Sequence, residues 1–228
     1  MRRLGASAVL LLFLPGCGEE EPGPSSPPPA PAPAPSGGAD LSLDSFEGKP
    51  GAAPQGWRSG RGRWALAEDA SAARGPMVLK QDAAVEDWAV ILRDGAYAGD
   101  LSAEVRFKPL SGREDASGGL VLLAQDADNY YLCRANALEG NFRLYYVKGN
   151  GRVQLESASV QAPEIGTWHT LQMALQGDTL SCALDGRVLI THRVNPSREP
   201  AWKAGRVGLW TKADSVTRFD RLDIIVIK

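Results

Sequence analysis

The sequence is poor in histidine and has no excess of one charge. Its 228 residues include only two histidines, and neither has a cysteine or carboxylate at the spacing of a zinc site. With 25 Lys and Arg against 27 Asp and Glu, the formal net charge is -2, which gives no electrostatic basis for binding nucleic acid. The pattern Gly-x-Ser-x-Gly is also absent, so a serine hydrolase of that kind has no support.

The chain also lacks a hydrophobic run of membrane-spanning length. Near the N terminus, residues 8–14 (AVLLLFL) fall far below the roughly 18 residues that a spanning helix needs. Arg2 and Arg3 precede this run, and a short apolar segment behind basic residues is typical of an export signal. The run ends in Leu14-Pro15-Gly16-Cys17, which resembles a bacterial lipobox. We therefore expect residues 1–17 to be a lipoprotein signal peptide, with an ordinary signal peptide as the alternative.

Lipidation of Cys17 would anchor the exported protein to a membrane. Gly18 follows it, rather than the aspartate associated with inner-membrane retention, so we expect an outer-membrane location in the cell envelope. Residues 18–40 could not build a core, and their alternating Pro and Ala favour an extended polyproline II linker. At about 3.1 Å per residue, such a linker spans roughly 60–70 Å. A Pro-rich partner motif is the alternative to a spacer.

Residues 41–228 show the alternation of β-strands and no sustained helical period. In residues 101–108, Leu, Ala, Val and Phe alternate with polar residues, which predicts a half-buried strand. Similar runs separated by Gly, Asn and Asp continue to the C terminus, so we predict one all-β domain, an antiparallel sandwich of jelly-roll type. Cys133 and Cys182 permit a disulfide in an exported protein, and two buried thiols are the alternative.

Two predicted hairpins place polar residues together on one sheet face. With turns at Glu139-Gly140 and Asn150-Gly151, the period of two sorts the side chains into two sets. The core set is Cys133, Ala135, Ala137, Phe142, Leu144, Tyr146, Val153 and Leu155. The opposite set is Arg134, Asn136, Arg143, Tyr145, Gln154 and Glu156. Such a polar face is either a solvated surface or a sugar-binding surface, because sugars use hydrogen-bonding groups beside an aromatic ring.

Three segments carry a resemblance to a known superfamily. They are GGLVLLAQDADNYYLCRANALEGNFRLYYVKGNGR, WHTLQMALQGDTLSCALDGRVL and GRVGLWTKADSVTRFDRL. They resemble the concanavalin A-like lectin/glucanase superfamily, in particular exported bacterial domains described as family 16 glycoside hydrolase-like, laminin-G-like or 3-keto-disaccharide hydrolase-like. The resemblance runs from about Phe46 to Ile227. It implies a jelly roll of two antiparallel sheets, one of them concave and commonly the ligand face.

The resemblance does not carry over a catalytic mechanism. Family 16 glucanases have a Glu-x-Asp-x-x-Glu strand with two catalytic glutamates, and no Glu in this chain is followed two positions later by Asp. Many members hold a structural calcium where the first strand meets the last, and the matching positions here are Glu47, Gly48 and Asp220. Oxygen ligands of this kind suit calcium.

Two further pairs are candidate ligand contacts. Glu104 and Arg106 share the polar face of the strand at 101–108, as a solvated pair or a sugar-contacting one. Glu156 is the nearest plausible carboxylate partner if Glu104 were a catalytic acid. Trp210 and Lys212 alternate with apolar neighbours, and Trp210 is either a stacking platform for a sugar or a core residue.

Together these observations favour a non-catalytic envelope module that binds carbohydrate or another polar polymer. A glycoside hydrolase without the family 16 motif is the first alternative, and a structural or protein-interaction lipoprotein is the second. The expected partners are a carbohydrate and the membrane reached through Cys17, with no nucleic acid. No cofactor is required, and the only expected ion is the structural calcium.

Overall fold

A computed structural model describes residues 39–149 and 151–227. The predicted signal peptide, the lipidation site at Cys17 and nearly all of the linker lie outside these residues. All regular structure within the described ranges is β-strand, in two antiparallel sheets of eight strands each. The predicted all-β sandwich is therefore confirmed. No helix long and apolar enough to cross a membrane occurs in this part of the chain.

Sheet A contains the first and the last strand of the described chain. Its strands are β1 (Ala39–Asp44), β3 (Trp64–Glu68), β4 (Met77–Gln81), β7 (Asp100–Ser111), β12 (His169–Gln176), β13 (Thr179–Leu184), β14 (Arg187–Arg193) and β16 (Val216–Ile227). Their order is β14-β13-β12-β7-β16-β4-β3, and β1 pairs with the C-terminal half of β16.

Sheet B is built around four consecutive strands joined by short connections. Its strands are β2 (Trp57–Arg61), β5 (Trp88–Arg93), β6 (Tyr97–Ala98), β8 (Ser117–Asp126), β9 (Asn129–Asn136), β10 (Asn141–Lys148), β11 (Gly151–Ser159) and β15 (Ala204–Lys212). Their order is β11-β10-β9-β8-β15-β5-β2, and the short β6 pairs with β15.

The main core lies between the two sheets. Alternation along β7 buries Leu101, Ala103, Val105 and Phe107 completely, as their period of two predicts. Sheet B contributes residues of the predicted core set, including Cys133, Ala135, Phe142 and Leu144. Each fully buried large side chain stabilises the fold by about 1.5–3 kcal/mol, so this interface dominates stability.

The two cysteines of the domain lie in this core. Cys133 on β9 and Cys182 on β13 belong to different sheets, and both are buried free thiols. Burial raises the pKa of the Cys133 thiol, and the neighbouring Cys182 raises it further. Of the two states that the sequence allows, the structure has the thiols as small core hydrophobes.

The hairpin registers differ from the predicted ones in a way that matters for the site. Asn136 pairs with Asn141, so residues 137–140 form the β9–β10 loop. The register differs from the predicted one by an even number of residues, and each side chain therefore keeps its predicted face. Between β10 and β11, a β-bulge next to Leu144 reverses the alternation. Glu156 therefore lies opposite Leu144 on the inner side, and its assignment to the face of Tyr145 is wrong.

The prediction that Val153 lies in the core is also wrong, because the residue is 43% exposed. Val153 does lie opposite the inward-facing Tyr146, as predicted. However, β11 is the edge strand of sheet B, and its inner side is only partly covered by the other sheet.

Sheet B is strongly curved, and its outer face is concave. Four strands separate β11 from β5, so the two would lie about 24 Å apart in a flat sheet with about 4.8 Å between strands. Yet the guanidinium carbon of Arg152 on β11 lies 6.0 Å from the ring of Trp88 on β5. Only a sheet that curls toward its outer face brings these side chains together.

Candidate functional site

The concave face of sheet B has an apolar floor that is separate from the main core. Its aromatic members are Trp88 on β5, Tyr130 on β9, Tyr145 on β10 and Trp210 on β15. Val, Leu and Ala side chains of these strands and of β8 complete the cluster, and Trp210 and Tyr130 are fully buried in it. Tyr145 and Trp210 were predicted as ligand contacts from distant segments, and the structure brings them to the same face.

Arg152 lies among three of these rings. Its guanidinium carbon is 4.7 Å from the centroid of Tyr145, 5.5 Å from that of Trp210 and 6.0 Å from that of Trp88. Burial lowers the pKa of Arg152, because the aromatic surroundings solvate a charge poorly. Sequence reasoning did not select this residue. The period of two, counted back from Gln154, would have placed it on this face.

Arg134 lies on the same face but is far more buried than its sequence pattern suggested. Only 2% of its side chain is exposed. Its guanidinium lies 3.9 Å from the Asp115 carboxylate, 3.6 Å from that of Glu139, and 5.9 Å from the Tyr145 ring. Arg134 is buried because the loop at Asp115 and the β9–β10 loop lie against its guanidinium.

Asp115 is a fully buried carboxylate at the same end of the concave face. The carboxylate of Asp214 accepts hydrogen bonds from the backbone N–H groups of Arg113, Glu114 and Asp115 at 2.7, 3.0 and 3.1 Å, which fixes this loop. These N–H groups hold the pKa of Asp214 below its usual range. The Nζ atom of Lys212, a predicted ligand contact, lies 3.7 Å from the Asp115 carboxylate.

Asn136 holds the loops in place rather than facing a ligand. Its Nδ2 donates to the Asp115 carboxylate at 3.2 Å. Its Oδ1 accepts from the backbone N–H groups of Ala116 at 3.4 Å and Leu138 at 2.9 Å. Because both ends of the amide are used and the residue is fully buried, Asn136 supports the site from behind.

Arg143 and Glu139 form the accessible rim beside Arg134. The Arg143 side chain is 32% exposed, and its Nη1 donates to the Tyr145 hydroxyl at 3.5 Å. Glu139 is 44% exposed and accepts a 2.5 Å hydrogen bond from Nδ2 of Asn141, which lowers the pKa of Glu139. The rim of this end therefore carries one cation and one ionised carboxylate, and Lys212 stands on the β15 side.

The concave face contains buried hydrogen-bond donors that have no acceptor within the described residues. They are Nε and Nη1 of Arg134, Nε of Arg143, Nη1 of Arg152 and Nε1 of Trp88. Buried donors are normally paired, and an unpaired one costs about 1–3 kcal/mol. A ligand bound on this face would supply the acceptors that these donors lack.

Glu104 and Arg106 lie elsewhere, so the predicted ligand residues do not form one surface. Both are on β7 of sheet A, on the face that points away from the core. Arg106 donates to the Asp220 carboxylate at 3.0 Å and lies 4.9 Å from the Trp168 ring. Burial raises the pKa of Glu104. The predicted partner of Glu104, Glu156, instead contacts His192 at the edge of the sandwich.

Asp220 and Glu47, the two carboxylates among the predicted calcium ligands, each accept hydrogen bonds from other groups. Asp220 is fully buried and accepts from Arg106 and from the backbone N–H of Ala73 at 2.7 Å. The Glu47 carboxylate accepts from Ser45 at 3.2 Å. In the part of the chain that the structure describes, no three His, Cys, Asp or Glu side chains are placed to hold a metal ion. A calcium bound through Glu47, Gly48 and Asp220 stays a prediction.

Several solved structures share this fold. The carbohydrate-binding module CBM66 from Bacillus subtilis matches with a TM-score of 0.60 and 19% identity, over 72% of this chain and 92% of that one. A Bacillus subtilis protein with a galectin-like fold matches with a TM-score of 0.63 and 11% identity, over 86% and 100%. The domain has the concanavalin A-like fold.

A further solved structure agrees with this assignment. The Emp47p carbohydrate recognition domain matches with a TM-score of 0.55 and 12% identity, over 82% of this chain and 95% of that one. No family model and no curated protein sequence matches the chain. At these identities the likeness establishes the fold, and the site has to be argued from its own residues.

Proposed function

We propose that this protein is a cell-envelope lipoprotein whose concanavalin A-like domain binds carbohydrate, without cleaving it, on the concave face of sheet B. The observation that carries the proposal is the combination of an aromatic floor with buried donors that lack acceptors. Sugars present hydroxyl oxygens as acceptors, so they match the unpaired donors that the aromatic floor holds in place. The names of two structural neighbours, a carbohydrate-binding module and a carbohydrate recognition domain, support the proposal.

The position of the donors indicates how a sugar would be held. Arg143 and Lys212 stand about one-third exposed on opposite sides of the buried Arg134, so this end of the concave face is open to a ligand. Guanidinium groups offer forked donors that can bind two oxygens at once. A lipid at Cys17 and the following linker would hold this surface away from the membrane.

A glycan array with the full chain tests the proposal. We expect binding to at least one glycan, and we expect Arg152→Gln to lose most of it, because Arg152 contacts three rings of the floor. The matched control is Arg187→Gln, since Arg187 is an exposed arginine on β14 of the other sheet. Binding that disappears equally in both variants, or that survives Arg152→Gln unchanged, would remove this face as the site. Thermal melting of each variant shows that it is folded.

Glycoside hydrolysis is the second candidate, because two carboxylates approach the same guanidinium. Asp115 and Glu139 both contact Arg134, and one is buried while the other is on the rim. Glycosidases use two carboxyls in different environments. The lowered pKa of Glu139 suits a nucleophile or base rather than a general acid. The test measures reducing sugar after the protein is incubated with a glycan that binds it on the array. Release by the wild type that Glu139→Gln abolishes would favour this candidate over a binding module.

A further inference from the structure

The cations on the concave face outnumber the carboxylates that contact them. Arg134, Arg143 and Lys212 share the carboxylates of Asp115 and Glu139 at distances of 3.6 to 3.9 Å. These are long ion pairs, beyond the length of a direct hydrogen bond between charged groups. Arg152 has cation–π contacts and, within the described residues, no ion pair. With the Arg61–Asp128 pair at the Trp88 ring included, five positive side chains face three negative ones.

The buried hydrogen-bond donors of these arginines likewise outnumber the acceptors within reach. Arg134 is 2% exposed, and its Nε and Nη1 have no hydrogen-bond acceptor. Nε of Arg143 and Nη1 of Arg152 are also unpaired. A guanidinium that is removed from water needs both an opposite charge and acceptor atoms, and the described residues supply too few of each.

From this excess of charge and donors we infer that the glycan bound on the concave face is anionic and places a carboxylate or sulfate group against Arg134, Arg143 and Lys212. The inference rests on the proposed function and names the substrate class of that site. An anionic group would supply the missing charge, and its oxygens would pair with the guanidinium forks in bidentate geometry. Sugar hydroxyls would supply acceptors but leave the charge unbalanced.

The rest of the molecule disfavours a general attraction to polyanions. The chain has a formal net charge of -2, so preference for an acidic polymer must come from a local surface. This property allows a binding experiment to distinguish a built anionic site from diffuse electrostatics.

The test uses polymers that differ only in charge. The full chain is titrated with polygalacturonate and its methyl-esterified form, and with dextran sulfate and dextran. We expect at least one acidic polymer to bind about tenfold or more tighter than its neutral counterpart, which is the effect of one charge-assisted hydrogen bond. The difference should shrink in 0.5 M NaCl because salt screens the partly exposed Arg143 and Lys212. A preference for polygalacturonate over its methyl ester indicates that the site binds carboxylates. A preference for dextran sulfate over dextran indicates that it binds sulfates.

Variants show which side chains cause the preference for acidic polymers. The double variant Arg143→Gln/Lys212→Gln removes two cations that are about one-third exposed, and it should reduce the acidic preference to less than about threefold. Lys148→Gln is the matched control, because Lys148 is an exposed cation on the same strand as Arg143 but on the opposite face. It should keep the full preference.

The outcomes separate this inference from the proposed function. Equal affinity for the acidic and neutral member of both pairs overturns the anionic inference and leaves carbohydrate binding in place. Absence of binding to every polymer, with a negative glycan array, overturns the proposed function itself. A preference that persists in the double variant, or that Lys148→Gln abolishes, overturns the assignment to Arg143 and Lys212.

Discussion

Arg152 on the edge strand β11 contacts the ring of Trp88 on β5, at 6.0 Å, although four strands of the same sheet lie between them. This contact defines the concave face, because it requires sheet B to curl until its outer side chains meet. On this face Trp210 and Tyr130 are fully buried, with Ala127 packed against the cluster and Arg61 and Arg152 over its rings. A surface of this kind is held together by aromatic and guanidinium contacts.

Replacing Arg152 with Ala should therefore lower stability by a small amount. Three cation–π contacts are lost, and partly desolvated contacts of this type contribute about 0.5–2 kcal/mol in total. Urea unfolding followed by tryptophan fluorescence measures the change. Arg187→Ala, on the exposed side of β14, should stay within about 0.5 kcal/mol of wild type. A loss much larger than 2 kcal/mol would mean that Arg152 is a structural residue and a poor probe of binding.

Arg134→Ala should be far more destabilising. Its removal takes from the fully buried Asp115 carboxylate the cation that lies 3.9 Å away, and breaking a buried ion pair costs about 3–5 kcal/mol. Chemical denaturation of the variant beside Lys148→Ala gives the comparison. If both variants unfold at the wild-type urea concentration, the buried ion pair does not stabilise the fold.

Gly118→Ala tests the packing between the sheets. A Cβ at Gly118 would lie 2.4 Å from Cδ2 and 2.8 Å from Cγ of Phe107, deep in the core. Because the ring is fully buried, it can move little, and we expect a loss of about 1–3 kcal/mol. Gly75→Ala cannot serve as a control, since Gly75 has a positive φ of 74°. Gly151→Ala can, because its nearest atom would be the Lys148 carbonyl oxygen at 3.5 Å.

His192 should make stability depend on pH. It lies between the carboxylates of Glu156 and Glu199, at 3.0 Å from each, and so joins the edges of the two sheets. Burial opposes the charge on His192, but hydrogen bonds to the two carboxylates outweigh it and raise the pKa. Since an unfolded histidine titrates near about 6.5, the contribution is complete below that pH and is lost as the pH rises through the folded pKa.

Urea unfolding at pH 6 and pH 8.5 measures this effect. The wild type should be more stable at pH 6 by an amount that His192→Gln removes. His169→Gln is the control and should keep the difference, because it leaves the contacts of His192 in place. Equal pH dependence in wild type and His192→Gln would assign the effect to other groups.

The lipid anchor is tested on the mature N terminus. If residues 1–17 are a lipoprotein signal, mass spectrometry of the membrane fraction should find a mature chain that begins with lipidated Cys17. Cys17→Ser should release the protein into the soluble exported fraction. An unmodified mature peptide that begins elsewhere, or that retains Leu14-Pro15, would contradict the anchor and leave an ordinary signal peptide.

Much of the fold follows from the sequence alone. The alternation in residues 101–108 predicts the buried row of β7, and the segment from Asn129 predicts β9 with Cys133 facing inward. The period of two is a local property of an extended chain, so it can be read without knowledge of the partner strand. For the same reason Arg134, Arg143 and Tyr145 are correctly assigned to one face even though the predicted register is shifted.

Tertiary structure alone decided which residues meet. The bulge beside Leu144 reversed the face of Glu156, and no turn signal in the sequence marks it. Sheet pairing placed Glu104 and Arg106 on sheet A, away from Arg134, because strands distant in sequence can join either sheet. Curvature of sheet B brought Arg152 to Trp88, and the loops that carry Asp115 and Glu139 buried Arg134. The sequence therefore determined the faces of the strands, and only the assembled sheet determined the site.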